Sequence, residues 1–142
     1  MGIRFQRGNF IVSNLDRALA FYRDVLGFEL TFVKDSPDDS YSYDVFEIPK
    51  GTPLKFAILS TPDQPRVMAL TEIPGIEPAP TPRRSAIVLD IEDIDGLLER
   101  ARAGGFHVYR EEELHTHDGR VGREIGLLDD DGNLTVIYRI NG

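Results

Sequence analysis

The sequence predicts an α+β domain made of two tandem β-α-β-β-β modules that together enclose a cavity. Three observations carry this. Phe10-Ile11-Val12-Ser13-Asn14-Leu15-Asp16 leads into an amphipathic stretch that ends at Gly27-Phe28, and Ile87-Val88-Leu89-Asp90-Ile91-Glu92-Asp93-Ile94-Asp95 leads into a second that ends at Gly105-Phe106. The two runs keep one offset, because Val12 matches Ile91 and Asp16 matches Asp95, each 79 residues apart (91−12, 95−16). The 142 residues suffice for one domain, 1–142, whereas each half is too short to bury a core alone.

Residues 3–12 alternate as a strand, with Phe5, Arg7, Asn9 and Ile11 on one face and Gly8, Phe10 and Val12 on the other. Ser13 or Asn14 caps a helix, and Asp16 in its first turn suits the helix dipole. Leu15, Ala18, Leu19, Tyr22 and Leu26 recur at helical spacing before Gly27 closes the helix. Residues 28–33 form a strand, 35–39 a turn-rich loop, and 42–48 and 54–59 two more strands. Tyr41 and Tyr43 then flank the cavity or pack on the sheet. The second module repeats the order, with strands at 86–91, 106–110, 124–128 and 134–140 and a helix at 94–103. Asp129-Asp130-Asp131-Gly132-Asn133 is a hairpin turn; it lacks the spaced ligands of a calcium loop. The modules span 3–60 and 85–142. Residues 61–84 hold six of the nine prolines and read as an extended connector, with 67–71 apolar enough for a short extra strand.

A formal charge of −8 argues against a nucleic-acid surface, which needs clustered Lys and Arg. With no Cys, disulfides, thiolate ligands and a Cys nucleophile are excluded. No apolar run approaches a membrane span and no signal segment opens the chain, so no membrane partner and a cytoplasmic location are expected.

The run Val12-Ser13-Asn14-Leu15-Asp16-Arg17-Ala18-Leu19-Ala20-Phe21-Tyr22-Arg23-Asp24-Val25-Leu26-Gly27-Phe28, with Asp130-Asp131-Gly132-Asn133-Leu134 near the end, resembles the vicinal oxygen chelate superfamily. That group contains glyoxalase I, extradiol dioxygenases and bleomycin-resistance proteins. The resemblance implies two modules paired into a curved, cup-forming mixed sheet, and a homodimer; in several relatives one chain's first module meets its mate's second, and the Pro-rich connector is compatible with that or with a cup inside one chain. It also implies four metal-ligand positions, normally His and Glu, in the first and last strands of each module. In this chain they map to Arg7, Phe56, Ala86 and Val136. Arg has no free lone pair at neutral pH and the other three are hydrocarbon, so no metal and no cofactor are expected.

Alternation places Arg7, Asn9, Phe56, Ile58, Val88, Asp90, Val136 and Tyr138 on the cup face as ligand-binding residues. This is a largely apolar pocket with few polar groups. Arg7 suits planar capture of an oxyanion; the other reading pairs it with Asp90, Asp44 or Glu47. His115-Thr116-His117 has the spacing for two imidazoles on one strand face but reads as a solvated loop, and His107 has no evident partner. The leading expectation is a metal-free binder of an anionic or aromatic small molecule. The alternative is a lyase or isomerase with a non-standard or metal-independent site, in which Arg7 stabilises an enolate and Asp90 or a rim His is the base. A third reading is an interaction module with a filled cup. No catalytic residue is assigned.

Overall fold

The structure is a computed structural model, and it describes residues 2–141. Two mixed sheets carry the two modules. In the first, β1 (Gly8–Val12), β4 (Met68–Glu72), β3 (Lys55–Ser60) and β2 (Glu29–Asp35) lie in the order β1-β4-β3-β2. In the second, β5 (Ala86–Asp90), β9 (Leu134–Asn141), β8 (Val121–Leu128) and β6 (His107–Val108) lie in the order β5-β9-β8-β6, with β7 (Glu112–His115) also paired to β8. Each sheet starts with one parallel pair, β1 with β4 and β5 with β9, and its other pairings are antiparallel. The repeat is therefore a repeat of topology, and each module keeps its own sheet.

One hydrophobic core joins the modules. It takes Phe10 and Val12 from β1, Leu97, Leu98 and Ala101 from α3 (Ile94–Ala103), and Ile125, Leu127 and Ile137 from the second sheet. Asn14 caps α1 (Leu15–Leu19) by accepting the Arg17 N–H at 2.9 Å, and Asp93 caps α3 through Gly96 N–H at 3.0 Å, as N-cap chemistry requires. Past Leu19 the first helix continues as a π-helical segment, Ala20–Val25, where the sequence spacing predicts only α-helix. The wider turn brings Phe21 and Tyr22, both fully buried, side by side with ring centroids 4.9 Å apart. Phe21 also meets Phe106 of the other module at 5.0 Å.

The hairpin turn before β9 ties the modules polar group by polar group. Asp129 is buried, and its carboxylate accepts four bonds of 2.9 Å each, from the Tyr22 hydroxyl, Asn133 Nδ2 and the N–H groups of Asp131 and Asn133. Asn133 Nδ2 also donates to the Ile11 carbonyl at 2.9 Å, and Asp131 accepts the Ser13 N–H at 3.0 Å. Burial raises the Asp129 carboxyl above its ordinary range, and burial with the Asp129 charge raises the Tyr22 phenol well above its own.

Four expectations need correcting. Residues 2–7 lie outside β1, with Ile3 and Phe5 exposed. Residues 42–48 are not a strand: β2 pairs directly with β3, so the sheet has no place for one between them. Instead Ser40 Oγ accepts the Ser42 N–H and starts a short helix, α2 (Ser42–Val45), which turns Tyr43 onto Ile48 and Leu54 in a small satellite cluster. The closing strand of the first module is β4, inside the stretch read as connector, and 54–59 is the third strand. The true link between the sheets is 73–85, exposed at 74–78. Finally, Glu112–His115 form β7, a strand not assigned from sequence, and His115-Thr116-His117 runs into the exposed hairpin turn that follows it.

Candidate functional site

Helices cover one side of both sheets; the other side stays open on the second sheet, whereas on the first Ile58, Ala69 and Thr71 are buried there. On the first sheet the outward residues meet a recess of about 340 Å³ lined by Arg7, Asn9, Phe56, Ile58, Ala69 and Thr71. The segment after β2 closes over it with Ser36, Pro37, Ser40 and Ser42. Arg7 Nη1 reaches the Arg66 carbonyl at 3.4 Å, and no carboxylate among the described residues lies within ion-pair distance of it. Of the three partners considered from sequence, Asp90 pairs with Arg139 at 3.3 Å and Asp44 with Lys50 at 3.5 Å. Glu47 lines a separate apolar recess with Phe46 and Ile48. The Thr71 hydroxyl is buried and donates to Asn9 Oδ1 at 3.1 Å.

The other four expected binding residues sit on the open face of the second sheet. Val88 lies beside Val136, and Asp90 beside Tyr138. The antiparallel register extends these rows to Gly126 and Glu124. Thr135, Ile137, Ile125 and Leu127 are buried toward the helices, so their alternating neighbours face outward. Glu112 stands opposite Glu124, and the Tyr109 ring covers Gly126, where an added Cβ would come within 3.1 Å of it. Tyr109 stacks edge-on with His107 at 4.5 Å, the partner that the sequence left unnamed. The structure thus gathers Arg7, Asn9, Phe56 and Ile58 in one recess and puts Val88, Asp90, Val136 and Tyr138 together elsewhere.

Sequence reasoning missed the serines, Ala69, Thr71, Glu124 and Tyr109. Counting back through the hairpin from Asp129–Gly132 pairs Glu124 with Tyr138, so that residue was findable. The serines were not, because their loop is placed by the satellite cluster rather than by a periodic strand.

The ligand positions implied by the resemblance also shift. Asn9 and Val88 are repeat equivalents, and they pair with Ala69 and Val136 respectively. The first-module position in the closing strand is therefore Ala69, not Phe56. Arg7, Ala69, Ala86 and Val136 offer no lone pair to a metal, so this donor set does not fit one. Among the described residues no group of three or more His, Cys, Asp or Glu side chains is placed to hold a metal ion. His115 ends β7 and pairs with Glu113 at 3.0 Å, and His117 lies beyond it in the turn; both are exposed and they share no strand face. No helix among the described residues is long and apolar enough to cross a membrane.

Comparison with known proteins agrees with this architecture. A glyoxalase family protein from Bacillus cereus is 19% identical, with a TM-score of 0.77 over 100% of this chain and 97% of that one. The trypanothione-dependent glyoxalase I of Leishmania major is 18% identical, with a TM-score of 0.67 over 97% and 87%. The fosfomycin resistance protein FosX of Listeria monocytogenes, solved with Mn(II) and sulfate, is 17% identical, with a TM-score of 0.65 over 98% and 93%. No curated protein matches by sequence. The family model of the Glyoxalase/Bleomycin resistance protein/Dioxygenase superfamily matches residues 4–137. With the repeated β-α-β-β-β topology and near-complete structural overlap, the chain belongs to that superfamily.

Proposed function

We propose that this chain binds a small organic molecule at its open sheet faces, anchored by Arg7 and without a metal held by the four strand positions. The observation that carries this is the Arg7 recess. A cation sits where relatives would place a ligand to metal, beside no carboxylate, over the apolar Phe56 and Ile58. Guanidinium supplies fixed positive charge and directional donors without a bound ion. Glyoxalase I of Leishmania major and FosX of Listeria monocytogenes share the fold, but at 18% and 17% identity their chemistry does not transfer.

A second copy of the chain completes the cup in this reading. Val88 is 62% exposed and Phe5 75%, both large apolar residues beside the strand edges β1 and β5. The first face offers Arg7 and hydroxyls, whereas the second offers Glu124 beside Asp90 and Glu112, which Arg139 and Arg110 already partner. Such complementarity suits one copy's first face meeting the other's second.

The Asp90–Tyr138–Glu124 row favours one alternative, a metal-independent lyase or isomerase in which a carboxylate on the second face takes a proton from a ligand held by Arg7.

Elemental analysis of tag-free protein, before and after incubation with nickel, zinc, manganese, iron or cobalt salts, tests the proposal. We expect no stoichiometric metal and unchanged thermal stability with a chelator. One tightly held metal per chain would overturn it and favour a metal-dependent enzyme.

A further inference from the structure

Resting on the reading of Arg7 as a ligand anchor, we infer the ligand's class: a small organic oxyanion, carboxylate or phosphoryl, carried on an apolar body. The polar groups of the recess are Arg7, Asn9, Ser36, Ser40, Ser42 and Thr71, and none is an acid. In a chain of net charge −8 the lining itself thus carries one cation and no acid, and an anionic group gains most from that.

The donors are also free to serve. Arg7 spends one N–H on a carbonyl and pairs with no carboxylate. The Ser36 and Ser42 hydroxyls have no protein partner among the described residues, and Ser40 Oγ accepts one backbone N–H while keeping its own proton. Thr71 fixes the remaining donor. It is 4% exposed and its hydroxyl donates to Asn9 Oδ1, so the Asn9 amide N–H₂ is the end left for a ligand. Thr71 is therefore a positioning residue. Arg66 adds a second prop, because its carbonyl meets Arg7 and its backbone holds a left-handed φ of 56° that a non-glycine residue adopts only under constraint. Phe56 and Ile58 supply the apolar floor, and a volume of about 340 Å³ fits a small molecule rather than a large cofactor.

The test is amide-resolved NMR titration of the full chain with benzoate, phenylphosphonate and their neutral isostere benzamide. The anions should shift the amides of Asn9, Ser42, Phe56 and Thr71, and benzamide should bind about tenfold more weakly. Arg7→Gln should weaken both anions about tenfold, Thr71→Val about fivefold, and Thr71→Ser should restore wild-type binding. A preference between the anions tells a planar carboxylate from a tetrahedral phosphoryl ligand. Equal binding of benzamide at the same amides, unaffected by Arg7→Gln, would overturn the oxyanion class while leaving a small-molecule cup. No shift of these amides by any of the three probes would overturn both.

Discussion

β1 and its repeat β5 start from matching positions and finish in different surroundings. Before β1, Arg7 projects into a recess that the segment after β2 roofs with three serines. At the head of β5 the equivalent position is Ala86, and the face beyond it stays open, with Val88 largely exposed and carboxylates along the next rows. The scaffold is the same, but one face gathers donors with no acid partner, and the other carboxylates of which Asp90 and Glu112 are paired with Arg139 and Arg110. The two modules keep the same strand order around one core, while the residues pointing away from that core differ. Core positions are constrained by shared packing, and outward positions answer only to what they meet.

The sharpest way to break the comparison is to make the first face resemble the second. Arg7→Glu should lower affinity for benzoate or phenylphosphonate by about a hundredfold or more, measured by calorimetry, because it replaces an attractive charge with a repulsive one. Next in size, Val88→Glu should abolish the dimer proposed above, read by light scattering of both chains, since it buries a charge at the proposed contact. The turn joining the modules comes third. Asp129→Asn removes a charged acceptor of four hydrogen bonds and leaves donors unmatched, so it should cost about 2–3 kcal/mol in chemical denaturation.

The pH dependence of that same site has a definite sign. The folded Asp129 carboxyl holds its proton more tightly than the unfolded chain does. Its contribution favours folding at acid pH and is lost as pH rises from about 4 through the raised value. Asp129→Asn should flatten that part of the stability profile, and an unchanged profile would show that the carboxyl is not the group responsible. The smallest effect expected is at Glu124. Glu124→Gln on the acceptor face should change oxyanion affinity less than about twofold, which a titration beside Arg7→Glu would show.

The module order follows directly from sequence spacing, which also narrowed the first cap to Ser13 or Asn14, and the core faces of β1 and the first helix were legible for the same reason. The closing strand of the first module was not. Residues 67–71 look like a strand, but only the parallel pairing of Met68–Glu72 with Gly8–Val12 shows that they complete the sheet. Parallel partners are joined by long crossovers, and local periodicity carries no trace of them. That omission moved one expected ligand position to Phe56, which lines the recess from the neighbouring strand. The helix at Ser42–Val45 escaped because four residues are too few to distinguish period 2 from 3.6. Asn9, Phe56 and Ile58 line one recess with Arg7, yet nothing in their spacing showed that Val88 and Tyr138 lie on a separate face.

Because the modules share one core and the turn at Asp129–Asn133 grips Ile11, Ser13, Arg17 and Tyr22, covalent continuity between them is close to redundant. A single protease cut in the exposed stretch 74–78 would leave a nicked particle still migrating as one species. The same site would accept an inserted peptide or reporter, and a gene divided there would encode two fragments that find each other through surfaces already built to match.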